Sequence, residues 1–193
     1  MKNNGFGQSA VISYEEYIKI RKQYTNSKHK LIFDVGWYTG ERWGCILQLR
    51  VDDVFNSEGN VKEVITFRAR TRKASPQGVK LTRQLPVSKN LKEILSSYCL
   101  QGVSEWLFPG SELGKHVTLR TCDYFLRDAV SKAGLTHRGI STHSTRRSFV
   151  TRLARQGTDI KTLQHITGHQ DVRSLMRYVD VSEDRIKGAL ELA

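Results

Sequence analysis

The chain has 193 residues, 38% of them hydrophobic and 26% charged, which suits one soluble domain with a proper core. No run approaches 18 apolar residues, and residues 1–9 lack an apolar stretch, so neither a membrane span nor a secretory leader is expected. Lys and Arg number 31 against 19 Asp and Glu, a formal net charge of +12, and a chain this basic is expected to meet a polyanion.

Residues 1–12 read as a flexible lead-in and residues 13–193 as a single domain, because no repeat, low-complexity tract or linker divides them. Ser13-Tyr14-Glu15-Glu16 is a capping box and predicts a helix from Tyr14 to about Tyr24. Leu31, Ile32, Val35 and Tyr38 stand at helical spacing and predict a second helix from Lys28 to Tyr38, broken by Gly40. A short third helix is expected from Arg42 to Leu47. The next part reads as three strands, Leu49–Phe55, Val64–Arg72 and Val79–Val87, joined by turn-rich segments at residues 56–60 and 75–78.

Helical patterns follow at Asn90–Leu100 and Leu119–Ala133. Another surrounds Phe149, Val150, Leu153 and Ala154 and is closed by Gly157. Thr158-Asp159 caps the next, which ends at Gly168. Asp171–Tyr178 and Ser182–Leu192 read as two final short helices. The sum is an α+β domain, mostly helical, with a small three-stranded antiparallel sheet. Cys45, Cys99 and Cys122 are odd in number and widely spaced, which argues against a disulfide framework and a zinc site and for a reducing, cytoplasmic setting.

The charge is clustered. Residues 66–92 contain no acid but carry Arg68, Arg70, Arg72, Lys73, Lys80, Arg83, Lys89 and Lys92; residues 136–158 repeat the pattern with Arg138, Arg146, Arg147, Arg152 and Arg155. Two such stretches are expected to form a phosphate-tracking surface rather than a salt-bridged face. His143 and Arg146 are three apart at a predicted helix start, where unpaired N–H groups add a positive dipole end. This is either a site for one phosphate or a capping histidine beside a surface arginine. Arg42 opens a helix directly after a glycine turn, His169 follows Gly168, and Tyr178 lies nine residues beyond His169.

Each motif is weak alone. Taken in order, Thr39-Gly40-Glu41-Arg42, a lysine in a strand hairpin, His143-x-x-Arg146, Gly168-His169 and Tyr178 resemble the tyrosine recombinase (phage integrase) family over nearly the whole chain. The resemblance implies the catalytic-domain fold of that family and a metal-independent, cofactor-free breakage and rejoining of DNA. Tyr178 would attack a phosphate and form a 3′-phosphotyrosine. A free phenol has a pKa of about 10, so forming phenolate at pH 7 costs roughly 4 kcal/mol, which cationic neighbours and a base reduce.

By the same resemblance, Arg42 and Arg146 clamp the phosphate, His169 hydrogen-bonds it, and His143 assists as general base. The general acid toward the 5′-oxygen lies in the hairpin. Arg72 and Lys73 compete for that role, and Lys73 is preferred because an ammonium gives up its proton more readily; Lys80 is a weaker choice. Arg68, Arg70, Arg72, Lys80 and Arg147 are read as DNA-binding. The implied partner is double-stranded DNA, held by a homotetramer on paired sites whose protomers are monomeric when free.

Three departures stand out. Cys45 occupies a position usually acidic in the family. Glu41 reads either as a solvent-facing glutamate, the commoner case, or as a substitute for that acid. Arg147 stands where histidine is common. Family members also carry an N-terminal helical core-binding domain, whereas this chain begins about where the catalytic domain should, so weak, salt-sensitive DNA binding is expected of it alone. The rival readings are a type IB topoisomerase-like relaxation activity and a DNA-binding protein impaired in catalysis.

Overall fold

The computed structural model of the chain describes residues 8–72, 78, 80–100, 104–168, 172–176 and 178. Ser13 starts the first helix by the reciprocal pairing its spacing predicts: its hydroxyl accepts from Glu16 N at 3.2 Å, and the Glu16 carboxylate accepts from Ser13 N at 2.9 Å. The helices in chain order are α1 (Tyr14–Lys22), α2 (Ser27–Thr39), α3 (Trp43–Ile46), α4 (Lys89–Ser96), α5 (Leu119–Lys132), α6 (Ser144–Arg155), α7 (Ile160–Thr167) and α8 (Arg173–Met176), with strands β1 (Val64–Phe67) and β2 (Arg83–Pro86). The chain forms two compact units, residues 1–149 and residues 150–193.

In the first unit α2 is the central element. Leu31, Ile32, Phe33, Val35 and Trp37 are all buried on it, and α1, α3 and α4 pack around it. Tyr17 of α1 stacks on Trp37 with ring centroids 4.4 Å apart. Asp34 is fully buried on the same helix, accepting from the Tyr17 hydroxyl at 2.6 Å and from Arg21 Nε at 2.8 Å. Burial pushes the Asp34 carboxyl above its ordinary range, against the pull of those two hydrogen bonds. The N-terminal order begins before Ser13. Ala10 and Ile12 are buried, with Ala10 N donating to Gly139 O and Ile12 N to Ser148 Oγ.

The sheet is smaller than the alternation suggests. Among the described residues it has two antiparallel strands, with Val64 opposite Pro86 and Phe67 opposite Arg83. The expected first strand, Leu49–Phe55, is instead a tight turn. Asp53 draws its carboxylate back onto Arg50 N at 2.9 Å, residues 51–53 close into a 3₁₀ turn, and only single bridges, Arg50 to Trp106 and Phe55 to Val61, remain. The expected second strand stops at Phe67 because residues 69–71 also wind into a 3₁₀ turn, with Thr71 Oγ1 donating to Arg68 O at 2.9 Å. Helix α4 ends four residues early, where the Ser97 hydroxyl donates to Ile94 O. The final helix expected at Ser182–Leu192 lies outside the described residues.

In the second unit Val150, Ala154, Leu163 and Leu175 form a small core, with Leu153, Ile160 and Tyr178 packed against it. Asp159 caps α7 and Gly168 ends it in the left-handed region at φ 62°, both as predicted. Among the described residues no helix is long and apolar enough to cross a membrane.

The Tyr17 hydroxyl is one of two donors to a fully buried carboxylate. Tyr17→Phe is therefore expected to lower unfolding free energy by about 1–3 kcal/mol, read by urea denaturation of the full chain.

Candidate active site

The site is built around the turn after α2. Gly40 takes φ 59°, and a Cβ there would meet Phe149 Cδ1 at 2.3 Å, so no other residue fits. The turn drives Glu41 inward: its side chain is fully buried. One oxygen, Oε1, accepts from Arg42 N at 2.8 Å and lies 3.7 Å from Arg146 NH1. The other, Oε2, accepts from Arg83 NH1 at 2.8 Å and lies 3.5 Å from Arg72 Nε. The reading of Glu41 as solvent-facing is thus overturned.

Each of the three arginines also has a backbone acceptor. Arg146 NH1 donates to Gly40 O at 2.9 Å, Arg83 NH2 to Thr39 O at 3.0 Å, and Arg72 NH1 to Leu81 O at 2.9 Å. Arg83 also lies over the ring of its cross-strand neighbour Phe67, 5.6 Å from the centroid. Trp43 Nε1 donates to Thr145 Oγ1 at 3.0 Å, which fastens α3 to the start of α6 beside Arg146. Arg42 occupies the N-cap position of α3, and its guanidinium is half-buried with no hydrogen bond or ion pair among the described residues.

Electrostatics follow from this packing. Burial alone would raise the Glu41 carboxyl, but the Arg83 and Arg146 guanidiniums and the Arg42 amide outweigh it and hold the group below its ordinary range. Burial lowers the Arg83 value, opposed by Glu41, yet a guanidinium stays protonated. Burial, and then the Glu41 charge, push the Cys45 thiol up to about 11, so it is neutral at pH 7. It donates to Thr71 O at 3.0 Å instead of facing an arginine as a carboxylate would. Among the described residues no three His, Cys, Asp or Glu side chains gather as a metal centre requires.

A model of the phage integrase family matches residues 6–185. The chain belongs to the phage integrase family. Relatives include the tyrosine recombinase XerD of Agrobacterium fabrum, 32% identical over 84 residues, which are 44% of this chain and 25% of that protein. The XerD of Brucella suis is 28% identical over 111 residues, 54% of this chain and 36% of that protein. The chain therefore spans about a quarter to a third of the length of these relatives. Among solved structures, XerA recombinase superposes with a TM-score of 0.72 at 22% identity, covering 96% of this chain and 66% of that one. The Tn1549 transposon integrase in complex with a circular intermediate DNA gives 0.74 at 17%, covering 99% and 68%. The fold is the catalytic-domain fold of tyrosine recombinases.

Set against this integrase fold, the residues expected to act fall into three groups. Arg146 is brought to the turn that carries Arg42. His143 sits exposed just before α6, and Tyr178 is half-buried against the core of the second unit. Lys73 and His169 lie outside the described residues.

The expected DNA-binding face is largely spent on the protein itself. Arg68 pairs with Asp52 and Asp53, Arg72 lies against Glu41, and Arg147 NH1 donates to Ser9 O. Arg138 and Lys92 pair with Glu16 and Glu63. Arg70 and Lys80 remain exposed. The two acid-free stretches are acid-free only along the chain. Glu41 entered only as the less common of two readings, and Arg83 was missed as a site residue, although it alternates with Leu85 on the inward face of β2, a signal the sequence carried.

Gly40→Ala combines a forbidden backbone region with a steric clash and is expected to cost at least about 2 kcal/mol by thermal or urea unfolding. Arg83→Met removes one partner of a buried pair and is expected to cost about 3 kcal/mol at pH 7. The Glu41 value is depressed, so its contribution is complete above the ordinary 4.5 and fades as pH falls through the lower folded value. The gap between wild type and Arg83→Met should accordingly narrow below pH 4.5, measured by denaturant titration at each pH.

Proposed function

We propose that this chain carries out site-specific DNA recombination through a covalent phosphotyrosine. The observation that carries the reading is the bond from Arg146 to Gly40 O, which brings together two arginine motifs 104 residues apart in the chain. Two guanidiniums on one turn suit the non-bridging oxygens of a phosphodiester, because each presents a planar fork of donors. In the proposed reaction the Tyr178 phenol loses its proton and its oxygen bonds to phosphorus. The bond to the 5′-oxygen breaks, and that oxygen takes up a proton. His143 takes the phenolic proton, His169 hydrogen-bonds the phosphate, and Lys73 protonates the leaving oxygen.

Arg72 is an unsuitable acid by its surroundings as well as its chemistry, since it lies against Glu41 and donates to Leu81 O. That supports Lys73. Attack on the ester by the 5′-hydroxyl of a partner strand then reseals DNA without an external energy source. A homotetramer of this chain on paired duplex sites, acting in the cytoplasm with Arg70 and Lys80 toward the backbone, completes the reading.

The test is a pool of nicked duplexes of randomised sequence, offered at low salt. Wild type should yield denaturant-resistant protein–DNA adducts whose recovered sequences share a motif, and Tyr178→Phe should yield none. Binding without any adduct would leave a non-catalytic DNA-binding protein in place of the recombinase.

A further inference from the structure

The Glu41 carboxylate is the one group that touches the backbone of the Arg42 turn and lies within ion-pair distance of Arg83, Arg72 and Arg146 among the described residues. We propose that Glu41 is a positioning residue for phosphate binding: its two oxygens set the direction in which Arg42 and Arg146 present their guanidiniums. The sequence position where an acid was expected, Cys45, holds a thiol bonded to Thr71 O. The carboxylate has in effect moved from the third residue after Arg42 to the residue before it.

The geometry explains how the move works. Oε1 accepts from Arg42 N at 2.8 Å, which fixes the backbone at the head of α3 where no side chain caps the helix. The same oxygen lies 3.7 Å from Arg146 NH1, whose hydrogen bond goes to Gly40 O. Oε2 is taken up by Arg83 at 2.8 Å, with Arg72 at 3.5 Å. Thus β2 and the hairpin approach supply two cations that hold the carboxylate still, and the carboxylate in turn holds the two arginines assigned to the phosphate. The group is fully buried, so its charge acts through protein rather than water. Cys45 lies within the electrostatic reach of Glu41, Arg42, Arg72 and Arg83, so a carboxylate placed there shares two of the cations that face Glu41.

The catalytic consequence rests on the recombinase reading, whereas the ordering of the arginines does not. Two measurements on the full chain separate them. The first is nuclear magnetic resonance of the guanidinium groups in Glu41→Gln, Glu41→Asp and the double variant Glu41→Gln with Cys45→Glu. Wild type should give a slowly exchanging Arg146 signal. Glu41→Gln should broaden it while methyl signals of the core stay in place, and Glu41→Asp or the double variant should restore it in part. The second is the single-turnover rate of adduct formation on a selected nicked duplex. Glu41→Gln should lower that rate at least about tenfold at saturating DNA, with Kd within about twofold of wild type because the surface phosphate contacts are untouched.

An unchanged Arg146 signal in folded Glu41→Gln, or an adduct rate within about twofold of wild type, overturns the proposal. Should Glu41→Gln fail to fold, Glu41→Asp decides: a partly broadened Arg146 signal with a lowered adduct rate supports the proposal, and a wild-type signal and rate despite the shortened side chain overturn it. Absence of adduct in wild type would refute the recombinase reading alone, and the resonance experiment would still judge Glu41.

Discussion

One buried carboxylate organises the first unit of this protein. Glu41 lies at the end of the central helix, behind a glycine that only the left-handed region accommodates, and three guanidiniums from separate parts of the chain lie within 3.7 Å of its oxygens. Placing an ionised acid out of water is expensive, and it is tolerated here because Arg42 N and Arg83 donate to it and the Arg72 and Arg146 guanidiniums stand within ion-pair distance. The arrangement is costly to break from either side, since removing the acid takes a counter-charge away from buried arginines and removing an arginine weakens the support of the acid. That mutual dependence is what allows residues 42 and 146 to be presented in a fixed relation.

The same geometry changes the meaning of the basic composition. A net charge of +12 invites the picture of a broad cationic face. The structure spends many of those charges internally: Arg68 holds the Asp52-Asp53 turn against the end of β1, Arg138 ties α1 to the 3₁₀ turn after α5, and Arg147 reaches the N-terminal segment at Ser9. In the proposed reaction, affinity for the DNA backbone would come from fewer side chains than the count of Lys and Arg suggests, and the buried arginines would contribute order rather than attraction.

Most helices were readable because their signals are local. A capping box at Ser13 and Glu16, a left-handed glycine at Gly40, an Asp cap at Asp159 and a terminating Gly168 each act within one turn of the chain, so each is complete in the sequence. The sheet was misread because strand pairing competes with side chains that fold back locally. Asp53 onto Arg50 N and Thr71 onto Arg68 O turned two expected strand segments into 3₁₀ turns. Alternation of residue types registers the face a side chain prefers, but not whether a neighbouring hydroxyl or carboxylate will capture the backbone first.

The family and the order of its motifs were present in the residues alone, because spacing such as His143-x-x-Arg146 and the run Thr39-Gly40-Glu41-Arg42 survives in one dimension. Only the tertiary structure decided which charges are partners. Glu41 meets Arg83 42 residues away, and Arg146 meets Gly40 across 106. Coulomb energy depends on distance in space and on the dielectric between the charges, and neither quantity is written in the spacing of letters. For that reason the residues alone left Glu41 between a solvent-facing glutamate and a substitute acid until the fold enclosed it.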